Sequence, residues 1–342
     1  MDDLDQLPIE AVLDIAEKMM ADYKPDRPAV EHLLSYAVNR EPDNPHSLTA
    51  LGNFFFEVGE LERALEHLAR ADELAPNILP SKCLALGQIY QRIADCDEAS
   101  TEEASARALR CLLRGAKMSE AELAQSGTVD VRTNFVEFLV AIAEHYMTPP
   151  ACDLPEAEER CKEALDRALS VDALSVSALT AMGTYLKIVG LGGGGGLEKA
   201  TEVGLEAYRC LAELVARSQA EEKMLMEHLQ KGEDLTEAQG EQLAIKLPTP
   251  EVMSKTGQLL LDFNLFEKAV EILEHVVRED DSNPEVWFSL CFAYIKLGRR
   301  SEAEMAVKEF QTTAANDEYF RSQVQELQKM IGCLAESDED SD

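Results

Sequence analysis

"LGNFFFEVGELERALEHLARADELAP", residues 51–76, decides the fold. Apolar residues return every three or four positions, as one face of an α-helix requires. With Leu51 as origin, Gly52 stands at +1, Phe55 at +4, Ala64 at +13, Leu68 at +17, Ala71 at +20 and Pro76 at +25. From Leu290 the same steps meet Trp287 at −3, Tyr294 at +4, Ala303 at +13, Val307 at +17 and Phe310 at +20. From Thr256, with Gly257 beside it, they meet Leu260, Ala269, Leu273 and Val276 at +4, +13, +17 and +20. Thr256 and Leu290 are 34 residues apart. Each unit reads as two antiparallel helices. Small residues at +1 and +13 let the two helices approach, and larger residues at −3, +4, +17 and +20 fill the space between units. One such pair cannot bury its own apolar faces, so pairs must stack.

This spacing and period resemble the tetratricopeptide repeat (TPR). The expected fold is all-α: a right-handed TPR superhelix of about six or seven helix pairs spanning residues 1–335. Leu86, Gly87 and Tyr90 open one pair, whose second helix lies near Ala108, Leu112 and Gly115. Residues 130–147 pair with a helix carrying Cys161, Leu165 and Ala168, and Met182, Gly183 and Leu186 open the next pair. Val30, Leu34 and Ala37 fit a second helix whose partner is residues 8–22. Insertions are expected near 94–104, 190–196 and 230–250. Residues 317–332 read as a capping helix, and 336–342 ("ESDEDSD") as a disordered acidic tail.

The 342 residues carry 32 Lys plus Arg against 65 Asp plus Glu, a formal charge of −33. That excess repels nucleic acid and anionic membranes and attracts basic partners. It also keeps a helical surface solvated, which is the plainer explanation. No stretch approaches the ~20 apolar residues of a membrane span. The acidic start "MDDLDQLPIE" has no apolar core, so no secretory signal is expected. The eight cysteines are scattered without a C-x-x-C, which suggests a reducing compartment, cytoplasmic and nuclear.

Little in the chain suggests chemistry. The glycine run of 190–200 is followed by Leu197, Glu198 and Lys199 without the Ser or Thr of a phosphate loop, so it reads as a flexible connection. No histidine pairs with another histidine or a cysteine at metal-ligand spacing. No catalytic residue, metal or cofactor is expected, and the chain reads as a binding protein rather than an enzyme.

Binding in such arrays uses the first helix of each pair, near −5, −2, +2, +5 and +6. These positions hold His46, Thr49, Asn53, Phe56 and Glu57 in one pair. In the pair at Thr256 they hold Glu251, Ser254, Gln258, Leu261 and Asp262. In the last pair they hold Glu285, Phe288, Phe292, Ile295 and Lys296. Glu137 and Glu144 lie on the first helix 130–147. Asn53, Phe56, Glu57, Glu137, Glu144, Asp262, Glu285, Phe288 and Phe292 are the candidate partner-binding residues. An acidic, partly aromatic groove suits a basic extended peptide: carboxylates pair with Lys and Arg, and aromatic faces stack on guanidinium. Phe288 and Phe292 have an alternative use, packing against the terminal helix.

Helical repeats, strong acidity, the tail "AESDEDSD" and the stretches "LALGQIYQRIAD" and "VWFSLCFAYIKLGRRSEA" together resemble the fungal assembly chaperones of large-subunit ribosomal protein four. The resemblance implies a dedicated chaperone without catalysis. It would hold the long basic internal loop of that ribosomal protein, with nuclear import through signals on the cargo. Two alternatives are a TPR scaffold subunit of a larger complex and a TPR co-chaperone of Hsp90 or Hsp70. For the latter, Asn53 sits at a matching position, but the accompanying basic residues are missing.

Overall fold

Proline and a capping side chain start several of the helices. Pro45, Pro80, Pro250 and Pro284 each stand six residues before the repeat origins Leu51, Leu86, Thr256 and Leu290, and each is the first residue of its helix. A proline there gives up only a donor that no helix would use. Asn44 accepts from the backbone of His46 and Ser47, Asn283 from Glu285, and Thr249 from Val252, so three of these starts also carry a side-chain cap.

The computed structural model describes residues 6–20, 26–96, 101–190, 196–231, 247–314 and 318–339. Among these residues there are fifteen α-helices and one short 3-10 turn, Ala151–Asp153, with no strand. They fall into two units, Met1–Asp172 and Ala173–Asp342. The first unit holds α1 (Ile9–Met20), α2 (Arg27–Arg40), α3 (Pro45–Glu57), α4 (Leu61–Leu74), α5 (Pro80–Cys96), α6 (Thr101–Ser126), α7 (Val129–Met147) and α8 (Ala157–Val171). The second holds α9 (Val176–Gly190), α10 (Gly196–Lys231), α11 (Pro250–Asp262), α12 (Phe266–Glu279), α13 (Pro284–Lys296), α14 (Arg300–Thr313) and α15 (Glu318–Glu339). Within each unit consecutive helices pair, and each pair packs on the next; α15 closes the second stack against α13 and α14. Among the described residues, seven pairs and a cap result.

The turn inside a pair is built the same way three times. The residue at +8 is Gly59, Asn264 or Gly298, with φ of 84°, 58° and 69°. The amide at +9 then donates back to the carbonyl at +4: Glu60 to Phe55 at 2.8 Å, Leu265 to Leu260 at 2.9 Å, Arg299 to Tyr294 at 2.9 Å. This is the Schellman closure of a helix C-terminus, which needs one left-handed residue.

The close approach expected at +1 is present. A Cβ on Gly52 would lie 2.6 Å from Leu68 Cγ, one on Gly87 2.5 Å from Leu112 Cδ2, and one on Gly257 2.7 Å from Leu273 Cδ2. The contact corrects one expectation. The leucine at +17 seats on the glycine of its own pair instead of filling the space between pairs, because a glycine leaves a notch wide enough for the leucine fork. In the last pair Cys291 replaces the glycine and Val307 the leucine, and the Cys291 thiol faces the Ala303 carbonyl at 3.5 Å.

Residues 97–100, 191–195 and 232–246, within the three expected insertions, lie outside the described residues. The flanks of the first are helical, with Ala94, Ala104 and Ser105 buried, so that insertion is shorter than the sequence suggested. At the second, Gly190 and Gly196 pass so close that a Cβ on Gly196 would be 2.6 Å from the Gly190 Cα. The two ends of the glycine run thus serve the close approach of α9 and α10. Helix α15 continues to Glu339, past the expected start of the tail at 336. Nothing after Gly332 breaks a helix, and its anchors Val324, Leu327 and Ile331 are buried. Residues 340–342 lie outside the described residues.

The buried thiols are held neutral. Burial pushes the Cys161 and Cys291 thiols up to about 12, while Cys152 and Cys333 are exposed.

Candidate peptide-binding surface

In the first unit, Asn53, Phe56 and Glu57 occupy the last turns of α3, so they share one stretch of helix. Asn53 is half-buried, and its side-chain oxygen is buried without a hydrogen-bond donor. Phe56 packs partly into the core formed around Phe55 and Leu68, and the Arg92 guanidinium of α5 lies 5.4 Å from its ring centre. Glu57 is exposed, yet loss of solvent around its carboxyl raises its pKa, with Arg27 pulling the other way. Glu137 and Glu144 are half-buried on α7, two turns apart. Beside Glu144, His145 is buried and cross-links three helices: Nδ1 meets Gln91 of α5 at 3.2 Å and Nε2 meets Ser105 of α6 at 3.3 Å.

In the second unit, Asp262 at the end of α11 is ion-paired to Lys187 of α9. Glu285, Phe288 and Phe292 follow one face of α13 at i, i+3 and i+7. Glu285 is exposed in the first turn. Phe288 is half-buried edge-on to Phe310 of α14 at 5.8 Å, and Phe310 meets Phe320 of α15 at 5.5 Å. Phe288 thus packs on α14 and is linked to the terminal helix only through Phe310. Phe292 lies 6.4 Å from Phe266, with the Lys296 ammonium 5.1 Å over its ring. Three positions read from sequence as exposed are buried: Thr49, Leu261 and Ile295. Neighbouring first helices pack on each other there.

The sequence reading passed over two cations. Arg92 is at +6 from Leu86, the offset of Glu57 and Asp262, and Lys187 is at +5 from Met182, the offset of Phe56. Applying the rule to every pair finds them. They make the first-helix face mixed in charge, with Glu57 and Glu285 left as carboxylates that make no hydrogen bond among the described residues.

These repeats agree with known proteins. The tetratricopeptide-repeat family model matches residues 260–327. The stacked helix pairs are of the tetratricopeptide-repeat type. It is 23% identical over 345 residues to the Schizosaccharomyces pombe protein named "Probable assembly chaperone of rpl4", covering 94% of this chain and 90% of that one. Among solved structures, "Assembly Chaperone of RpL4 (Acl4)" aligns with TM-score 0.53 and 18% identity over 87% of this chain and all of that one. The APC/C complex Cut9–Hcn1 aligns with TM-score 0.52 and 10% identity, over 88% of this chain and 46% of that one. At these identities the two structures share the repeat fold.

Proposed function

We propose that the chain is a dedicated, non-enzymatic chaperone of a basic ribosomal protein. It shields a Lys/Arg-rich extended loop between synthesis and assembly, and travels from cytoplasm to nucleus with import signals carried by the cargo. The observation that carries this reading is the match, over nearly the whole of both chains, to a relative named for assembly of rpl4. The −33 charge supports it, since a basic loop is drawn to an acidic array over long range. Glu57 adds a local reason: a carboxylate already short of solvent gains more from an arriving Lys or Arg than a fully hydrated one.

Calorimetric titration with the basic internal loop of the ribosomal protein, at two salt concentrations, tests it. Glu57→Lys with Glu137→Lys should weaken binding far more than Glu62→Lys with Glu66→Lys on the second helix α4. Equal losses would reduce the effect to diffuse charge attraction, and absence of binding by the unaltered chain would remove the reading.

A further inference from the structure

Away from the first-helix positions, the first unit holds a cleft of about 520 Å³ lined by Asp72 of α4, Tyr90 of α5, and Arg107, Arg110, Cys111 and Arg114 of α6. Three guanidinium groups face one carboxylate, in a chain where acids outnumber bases 65 to 32. Lys117 extends the row, since 107, 110, 114 and 117 fall on one face of a helix.

The internal partners do not use up these donors. Asp72 accepts twice from the same terminal nitrogen of Arg114, at 2.7 and 2.8 Å. The Arg114 Nε is buried and has no acceptor. Arg107 is turned to Glu103 at 2.5 Å and lies over the Tyr90 ring. Arg110 is exposed and has no ion pair or hydrogen bond among the described residues. A buried N–H without an acceptor is costly, and an arginine fork is shaped for a planar or tetrahedral oxyanion.

We propose that this cleft docks an acidic peptide segment, a short run of carboxylate- or phosphate-bearing residues whose oxygens take the exposed Arg110 fork beside the partly exposed Arg114. Charge complementarity selects that occupant. The chain's net charge repels a nucleic-acid duplex, whereas a short segment placed within a Debye length of about 8–10 Å answers mainly to the nearby arginines. The cleft is built largely from the second helices α4 and α6, and the residues proposed for the basic loop lie on first helices. Its occupation is therefore independent of the chaperone reading.

The test is fluorescence anisotropy with the labelled peptide Glu-Ser-Asp-Glu-Asp-Ser-Asp, the same peptide phosphorylated on both serines, and a neutral Gln/Asn version. Inorganic phosphate serves as competitor. Both anionic peptides should bind and the neutral one should not; whichever anionic peptide binds tighter identifies carboxylate or phosphate as the preferred group. Arg110→Glu should weaken binding by roughly tenfold or more, with Arg110→Lys between, because the fork is lost but not the charge. Arg321→Glu, the same charge change at an exposed site of the second unit, should leave it unchanged. Binding of the basic loop should survive Arg110→Glu. Equal losses for Arg110→Glu and Arg321→Glu, or failure of both anionic peptides to bind even if phosphate does, overturns the proposal.

Discussion

Leu68 occupies the space that a side chain on Gly52 would need, with its Cγ 2.6 Å from where that Cβ would stand. The two helices of the pair meet there without any intervening atom. Gly52→Ala therefore sets two effects against each other. Helix propensity favours alanine by about 1 kcal/mol, and overpacking costs about 1–3 kcal/mol. The branched carbon of Leu68 cannot swing away as a chain end can, so the net result should be destabilising by about 1 kcal/mol. Leu68→Val in the same background should recover part of the loss, as the natural Cys291 and Val307 combination suggests. Denaturant midpoints of the three variants check this.

The left-handed turn position gives a second prediction. Asn264 holds a φ of 58°, in the left-handed region that Gly59 and Gly298 occupy without a Cβ. Asn264→Gly should be close to neutral, while Gly298→Val should cost about 1–2 kcal/mol. Thermal melts that rank the two the other way would remove the Schellman account of these turns.

Lys82 predicts a third. It is fully buried, and its ammonium donates to the carbonyls of Ala75, at 2.8 Å, and Ile78, with Asp72 at 3.8 Å. It thereby fixes the turn in which Leu79 takes a φ of 57° before Pro80. Lys82→Ala removes the donor from these carbonyls and leaves a cavity, at a cost of about 2–4 kcal/mol. Leu79→Gly should stabilise the same turn. A Lys82→Ala midpoint equal to that of the unaltered chain would contradict the role given to the ammonium.

His145 makes stability depend on pH. Burial lowers its pKa from 6.5 to about 4. The unfolded chain takes up the proton first, so the contribution is complete above pH 6.5 and is lost as pH falls toward 4. The full difference is on the order of 3 kcal/mol. His145→Gln should flatten the fall in stability across that window, measured by urea unfolding at fixed salt.

The repeat spacing was legible because it reflects packing that recurs: Ala64, Ala269 and Ala303 are all wholly buried at +13. The first helix 130–147 and its partner were legible for the same reason. What the sequence hid was the neighbour of each packing residue. A leucine at +17 looks the same whether it meets its own pair or the next, and only the glycine notch decides. Burial of Lys82 was invisible because its acceptors are backbone carbonyls, which carry no residue signature. The first-helix face was half legible. Glu57 and Glu285 are exposed as read, but Phe288 is drawn into the α14–α15 contact, and Arg92 and Lys187 were reachable by an offset applied only to some pairs.

The uneven state of the thiols has a practical consequence. At neutral pH a maleimide reacts with thiolate, which Cys161 and Cys291 scarcely supply, whereas Cys152 and Cys333 face solvent, one in each unit. With Cys96 and the partly exposed Cys111 and Cys210 changed to serine, a donor and an acceptor dye can be placed on those two natural positions without engineering new ones. Energy transfer between them would then show whether a bound cargo loop draws the two units together or leaves them as they were.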